Sequence, residues 1–442
     1  MNPPPQAVDT VIEARWLIPV EPARSVLPDH AVVVNGGRIS AVLPAAEARL
    51  AYIPKQHVVL AEHALIPGLV NLHTHAAMTL LRGLADDLAL MNWLNHHVWP
   101  AELRHVSEEF VYDGARLACA EMLRGGVTCF NDMYFFPRAA ARAALEARMR
   151  AALGMIVVEF PSPYASDAQD YLDKGLALRD ELKSEPLLRF CFAPHAPYTV
   201  SDKALGQVAT LIGELDLPVH MHLHETGDEI EHSLKNHGVR PLHRLGELGL
   251  LGPGLIAVHA IHLERNEIEL LAQHGCHVAH CPSSNLKLAS GFAPVGALLA
   301  AGVNVGLGTD GAASNNRLDM FAEMRLAALL AKGLSADATV LPAWQALELA
   351  TLRPARALGL DDSIGTLQPG KCADITAIKL SDIELAPCYD PLSHLVYAAG
   401  REHVTHVWVN GELVVDDGNL TTIDTREVLA RAAFWHDRIN TP

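Results

Sequence analysis

The sequence predicts an α/β protein, a (β/α)8 TIM barrel held between two β-rich ends that fold together as a small β-sandwich domain. Three observations predict it. Apolar runs of strand length recur near residues 64–73, 127–132, 152–158, 188–193, 218–223, 255–260, 276–281 and 303–308. Most are separated by helix-period stretches such as Glu108 to Gly125 and Asp202 to Leu215, the alternation of buried parallel strands with crossover helices. Both ends of the chain, by contrast, carry short β-rich pieces and turn residues. A doubly wound open sheet shares this alternation, because pattern alone does not show closure.

Residues 9–43 are short β segments with an Asn35-Gly36-Gly37 turn, a hairpin signal. The far end repeats the style with Ala373-Asp-Ile-Thr-Ala-Ile378, then His406 to Val415 around an Asn410-Gly411 turn. Each end is too short to bury a core alone, so the two are expected to pair. The expected organisation is residues 1–62 and 369–442 as the two parts of the β-sandwich domain, with 63–368 as the barrel.

Bulk properties narrow the function. A chain of 442 residues exceeds one ordinary core, and half hydrophobic with 19% charged suits a soluble globular enzyme. The net charge of -17 repels phosphate backbones and anionic membranes, so neither is expected as a partner. The opening Met1-Asn-Pro-Pro-Pro-Gln6 lacks the basic and apolar regions of a signal peptide. No run of about 18 apolar residues appears. Seven scattered cysteines without a Cys-X-X-Cys pair argue against a disulfide framework or a cysteine-rich zinc site. The expected location is the cytoplasm.

The chemistry is expected at the C-terminal ends of barrel strands. The stretch Leu65 to His75 reads as a buried strand ending in two histidines. Side chains alternate faces along a strand, so His73 and His75 point the same way, about 6.6 Å apart. Strand 4 ends in Ala193-Pro-His195 and strand 5 in His220-Met-His-Leu-His-Glu225. Strand 6 carries His259, strand 7 His280, and strand 8 ends in Gly308-Thr-Asp310. One such residue is usually a satisfied buried polar group. Six of eight strands ending this way is different, because imidazoles and carboxylates are costly to bury without partners. A shared metal removes that cost, and neutral imidazoles with a carboxylate suit zinc, or iron or manganese. His220, His222 and His224 share one strand face, and spacing leaves open which of them binds.

The set Pro67-Gly68, His73-Thr-His75, His222-Leu-His-Glu225, His259, Cys281-Pro-Ser-Ser-Asn285 and Gly308 to Asn315 resembles the amidohydrolase superfamily. Within it the chain resembles the 5'-methylthioadenosine/S-adenosylhomocysteine deaminases nearly end to end. Leu81-Arg-Gly-Leu-Ala-Asp-Asp87 and Gly370-Lys-Cys-Ala-Asp374 belong to the match. The resemblance implies one divalent metal per chain, zinc first and Fe2+ or Mn2+ next, on His73, His75, His222 and Asp310. Two-metal members of the superfamily use a carboxylated lysine at the end of strand 4, and Phe190 to Pro197 holds no lysine. Glu225, His259 and Asp310 would be catalytic, with His220 and His280 structural.

The implied reaction is hydrolytic deamination of an adenine nucleoside at C6. Glu225 shuttles a proton to N1, while His259 and Asp310 hold and deprotonate the attacking water. By the same resemblance Trp93 and Glu102 line the nucleoside pocket, Glu102 accepting from the ribose hydroxyls, and His195 faces the ribose or 5' side. Members gripping a homocysteine carboxylate are expected to carry an arginine after strand 3, and Gly154 to Phe160 has none. Met155, apolar and adaptable, is the residue expected against a methylthio group. A homo-oligomer acting on a small-molecule nucleoside is expected. The rival readings are a guanine, cytosine or triazine hydrolase, which a ribose-binding Glu102 disfavours, and a non-catalytic scaffold, which would lack the ligands.

Overall fold

The computed structural model describes residues 4–440, so Met1 to Pro3 of the opening segment and Thr441 and Pro442 lie outside the described residues. The chain divides into two compact units. One holds residues up to Val70, 121–129 and 319–422; the other holds 71–120, 130–318 and the residues from Ile423 onward.

Among the described residues there are sixteen strands, in chain order β1 Gln6–Leu17, β2 Leu27–Asn35, β3 Arg38–Pro44, β4 Tyr52–Pro67, β5 Leu69–Thr74, β6 Val127–Asp132, β7 Arg150–Val157 and β8 Leu188–Pro194. They continue as β9 Val219–Leu223, β10 Leu255–His259, β11 His277–His280, β12 Asn304–Leu307, β13 Ile375–Lys379, β14 Val404–Val409, β15 Glu412–Asp416 and β16 Asn419–Leu420.

The two ends of the chain do build one sheet, in the order β16-β15-β14-β13-β4-β1-β2-β3. The join between them is β13 running antiparallel to β4, with Ile375 opposite Pro67 and Ala377 opposite Leu65. Alternation sorts the core onto two faces. Ile12, Val32, Leu65 and Trp408 pack on one face, while Val11, Val33 and Ala48 pack on the other. The two predicted turns are both present. Gly36 and Gly37 (φ 58° and 76°) join β2 to β3, and Asn410 and Gly411 (φ 50° and 79°) join β14 to β15. Positive φ at both central residues matches the twist of the flanking strands, which is why Asn and Gly stand there.

The second sheet runs in the order β5 to β12, with β7 through β12 pairing in parallel. Every residue of β6 and β7 is buried, as expected of strands covered on both faces. The chain after β12 returns to β5. The Asp310 N–H donates to the His73 carbonyl at 3.0 Å, and Thr309 N–H donates to Asn71 Oδ1 at 3.0 Å. These bonds bring the last strand against the first, so the fold is the barrel rather than the open sheet.

One predicted strand divides. The apolar run 64–73 gives its first residues to the end of β4 and the remainder to β5, with Gly68 between them. A Cβ at Gly68 would sit 2.2 Å from Thr128 Oγ1, so no larger residue fits at this crossing. The helix predicted over Asp202 to Leu215 spans those residues, started by Ser201 Oγ accepting from the Ala204 N–H. The closing helix Thr425–Asn440 lies in the barrel unit. There Trp435 Nε1 and Arg431 Nε each donate to Asp113 Oδ2 at 2.8 Å. Among the described residues, no helix is long and apolar enough to cross a membrane.

Candidate active site

The barrel's geometry gathers the strand-end residues. One ligand atom from each of His73, His75, His222 and Asp310 lies within 4.8 Å of the corresponding atom of every other member. Nε2 of His73 and Nε2 of His75 are each 3.2 Å from Asp310 Oδ1. His222 completes the set, its ring centroid 4.9 Å from that of His73 and 5.3 Å from that of His75.

Hydrogen bonds aim these rings. His75 Nδ1 donates to the Met133 carbonyl at 2.6 Å, and His222 Nδ1 donates to the His195 carbonyl at 2.7 Å. A carbonyl only accepts, so in the neutral form of either ring it is the Nε2 lone pair that turns inward. His73 Nε2 is buried and makes no hydrogen bond. Asp310 is steadied on both oxygens: Ser284 and Ser314 hydroxyls donate to Oδ2 at 2.6 and 2.9 Å, and Gly311 N–H donates to Oδ1 at 2.8 Å. An orphaned ring nitrogen, two imidazoles with fixed tautomers and a carboxylate at this spacing fit a single divalent cation of the zinc type.

The electrostatics agree. Burial pushes His73 down to about 4 and His222 well below the ordinary histidine value, so both rings are neutral and able to ligate. Burial also pushes Asp310 upward, but the neighbouring His73 and His75 outweigh it and hold the carboxyl well below its usual range. His75 feels the same burial, yet the Asp310 carboxylate and the Met133 carbonyl bring it up to about 9. A cation binding there takes the place of that proton.

Beside this cluster stand Glu225 and His259. Glu225 is 6% exposed, and burial raises its carboxyl above the ordinary range. His259 Nε2 lies 3.8 Å from Glu225 Oε2, with its Nδ1 donating to Asn285 Oδ1 at 2.8 Å. Glu229 holds the turn that presents Glu225, accepting the N–H groups of His224 and Glu225 at 2.9 and 2.8 Å. His224, His259 and Asp310 all take left-handed backbone (φ 56°, 69° and 62°). Non-glycine residues rarely adopt that region, and such strain concentrates at functional sites.

A cavity of about 360 Å³ opens over the cluster, and His75, His222, Glu225, His259 and Asp310 reach its wall. Trp93 and Glu102 line it from a segment whose turn Leu94–Val98 is π-helical, a local widening common at functional sites. Glu102 Oε1 accepts from the Tyr134 hydroxyl at 2.6 Å. Burial drives Glu102 up to about 7 although Tyr134 and His75 pull it down. His195 also faces the cavity, held by Thr199 Oγ1 at 3.0 Å from its Nδ1 and kept neutral by burial, at about 3.

Met155 is a correction. Its side chain packs toward Gly175, where an added Cβ would meet Met155 Cβ at 2.8 Å, and it does not line the cavity. Ile156 and Val158 do. Side chains alternate faces along β7, so Met155 and Ile156 point to opposite sides of the strand. His280 and His220 stay below the cavity floor, both buried. Nothing in the sequence singles out Tyr134 except its place just beyond a strand end, at Asn131-Asp-Met-Tyr134. Ser284 lies in Cys281-Pro-Ser-Ser-Asn285 and Ser314 in the segment from Gly308 to Asn315, yet spacing does not reveal that both serve one carboxylate.

Residues 64–414 match the amidohydrolase family. A 5-methylthioadenosine/S-adenosylhomocysteine deaminase of Saccharophagus degradans is 47% identical over 431 residues, covering 98% of this chain and 97% of the relative. One of the same name from Teredinibacter turnerae is 47% identical over 432 residues, 98% of each chain. The crystal structure of an adenosine deaminase from Xanthomonas campestris with bound zinc superposes with a TM-score of 0.98 at 49% identity, covering 99% of this chain and 100% of that one. A zinc-complexed atrazine chlorohydrolase of Arthrobacter aurescens gives 0.90 at 23% identity over 97% of this chain and all of that one, a likeness of fold alone.

Proposed function

The chain belongs to the amidohydrolase family, among its 5-methylthioadenosine/S-adenosylhomocysteine deaminases, and from that premise we propose its chemistry and the role of each residue. It is a metal-dependent hydrolytic deaminase that converts the 6-amino group of an adenine nucleoside to 6-oxo with release of ammonia. One observation carries the reading: the cluster of His73, His75, His222 and Asp310 lies beside two buried titratable side chains, Glu225 and His259, at the base of a cavity of about 360 Å³.

We assign one divalent ion, zinc, to His73, His75, His222 and Asp310. When bound, such an ion supplies Lewis acidity that brings the pKa of a water to about 7. The residues of the chain do the rest. His259, its Nδ1 committed to Asn285, keeps Nε2 free to orient the water and take its proton together with Asp310. Glu225, protonated more readily because it is buried, donates to N1 of the purine as water adds to C6. Glu225, now ionised, takes the second proton of the water from the C6 hydroxyl and passes it to the amino group, which leaves as ammonia as the 6-oxo group forms. The proton held by His259 and Asp310 then returns to Glu225, 3.8 Å from His259.

Glu102 is assigned to the ribose diol, with Tyr134 holding one of its oxygens. The carboxylate form is the one that accepts hydroxyl protons. Because the Glu102 carboxyl is raised to about 7, kcat/KM for nucleosides is expected to fall as pH drops through about 7, far above the ordinary carboxylate range. Tyr134→Phe removes a bond that lowers this value, so the fall should begin at higher pH. A pH profile of kcat/KM for both proteins checks it; superimposable profiles would separate Glu102 from substrate.

Specificity follows from the wall. Ile156, Val158, Phe160 and Trp99 make it apolar, and among the described residues lining it there is no lysine or arginine. A homocysteine tail brings a carboxylate that finds no cation, whereas a buried methylene gains about 0.8 kcal/mol. The expected order is 5'-methylthioadenosine first, adenosine about tenfold or more behind, then S-adenosylhomocysteine, with free adenine poorest for want of ribose contacts. Comparing kcat/KM across these four compounds tests the proposal. A preference for the free base would take Glu102 out of its role, and no ammonia from any of them would end the deaminase reading.

A further inference from the structure

His220 sits on β9 two residues before His222, and so one layer deeper in the barrel on the same face. Its Nε2 lies 2.8 Å from Nδ1 of His73, while its own Nδ1 is buried without any partner. The ring's hydrogen bonding is therefore spent entirely on His73. Leaving a buried ring nitrogen unsatisfied is unfavourable, and an apolar side chain of the same size would avoid it. A purely packing role does not account for a histidine here.

Comparing the three imidazoles of the cluster supplies the reason. The tautomers of His75 and His222 are fixed by backbone carbonyls, which can only accept. His73 alone faces a group that can either donate or accept. A single proton lies between the two nitrogens. With that proton on His73 Nδ1, the His73 Nε2 lone pair is free and points into the cluster. With it on His220 Nε2, the remaining proton of a neutral His73 sits on Nε2, 3.2 Å from Asp310 Oδ1 and in the path of any cation.

We propose that His220 is a positioning residue: by accepting the Nδ1 proton of His73 at its Nε2, it selects the tautomer of His73 that can hold a metal. His220 then carries its own proton on the unpartnered Nδ1. The inference rests on the reading that His73, His75, His222 and Asp310 bind the ion. Partners of this kind, one step behind the ligands, change metal affinity by about 10- to 100-fold.

The test uses zinc itself. Dissociation constants are measured by chelator competition for the full-length wild type, His220→Leu and His220→Gln. The leucine variant is expected to bind zinc about 10- to 100-fold more weakly. Glutamine, whose side-chain oxygen can accept at a similar reach, is expected to return affinity to within a few fold. Neutron diffraction from zinc-loaded wild-type crystals should place deuterium on Nδ1 of both His73 and His220, with none on His220 Nε2. Wild-type affinity in the leucine variant, equal losses in both variants, or deuterium on His220 Nε2 would each overturn the proposal. If the leucine variant does not fold, the neutron map decides. Wild-type protein that takes up no zinc would overturn the metal site itself, a failure visible before any variant is made.

Discussion

Replacing Glu225 by glutamine is expected to lower turnover by about 10²-fold or more while metal content stays at the wild-type level. Glutamine keeps the length and shape of the side chain and can still hydrogen-bond, but it has no proton to move between water, N1 and the leaving group. The proposed role is separate from the proposed metal site. Glu225 is outside the four-ligand cluster, and its turn is held by Glu229 through two backbone N–H groups that the substitution leaves untouched. Burial, the largest influence on its carboxyl, raises the pKa, which suits a group that must give and retake a proton near neutrality. Steady-state kcat and elemental analysis on the same preparation decide it. Ordinary turnover with full metal content would mean that the proton travels by another route, with His259 the nearest candidate at 3.8 Å.

Replacing His222 by alanine is expected to take metal and activity away together. Wild-type protein should hold about one ion per chain. The variant loses one of four ligands whose Nε2 is aimed by the His195 carbonyl, so occupancy after dialysis should fall well below one and turnover by about 10²-fold or more. Adding excess zinc should recover part of the activity if the remaining three ligands still capture the ion. Two ions per chain in the wild type, or full activity after exhaustive chelation, would sink the mononuclear site. Loss of activity with metal retained would move His222 from ligand to another role.

The sequence made the barrel legible because parallel strands buried on both faces read as unbroken apolar runs. It also showed the histidines, because strand ends in this architecture are where polar side chains gather. What escaped it is three-dimensional. Alternation placed His220, His222 and His224 on one strand face and could not rank them. The ranking comes from what each ring meets: His222 reaches the cluster, His220 meets His73 beneath it, and His224 is taken up by the His262 carbonyl and the Leu242 N–H. The run Leu65 to His75 looked continuous because both of its halves are buried, and only the crossing at Gly68 shows that it serves two sheets. Met155 and Ile156 are alike in polarity, so hydrophobicity carried no information on which faces the cavity. Tyr134 has no charge to announce it, and its partner Glu102 lies 32 residues earlier in the chain.

The left-handed backbone at His224, His259 and Asp310 bears on how this enzyme could be re-engineered. Saturation libraries at these three positions will be filtered twice, once by chemistry and once by conformation. Asparagine, aspartate, histidine and glycine tolerate that region, whereas valine, isoleucine and threonine clash with their own backbone there, at a cost of about 1 to 2 kcal/mol. A screen for soluble protein alone will therefore already return a narrow alphabet, enriched in residues that also happen to ligate metals and move protons. Recovering histidine or aspartate at such a position is no proof of catalysis unless asparagine, equally at ease in the backbone, has failed beside it.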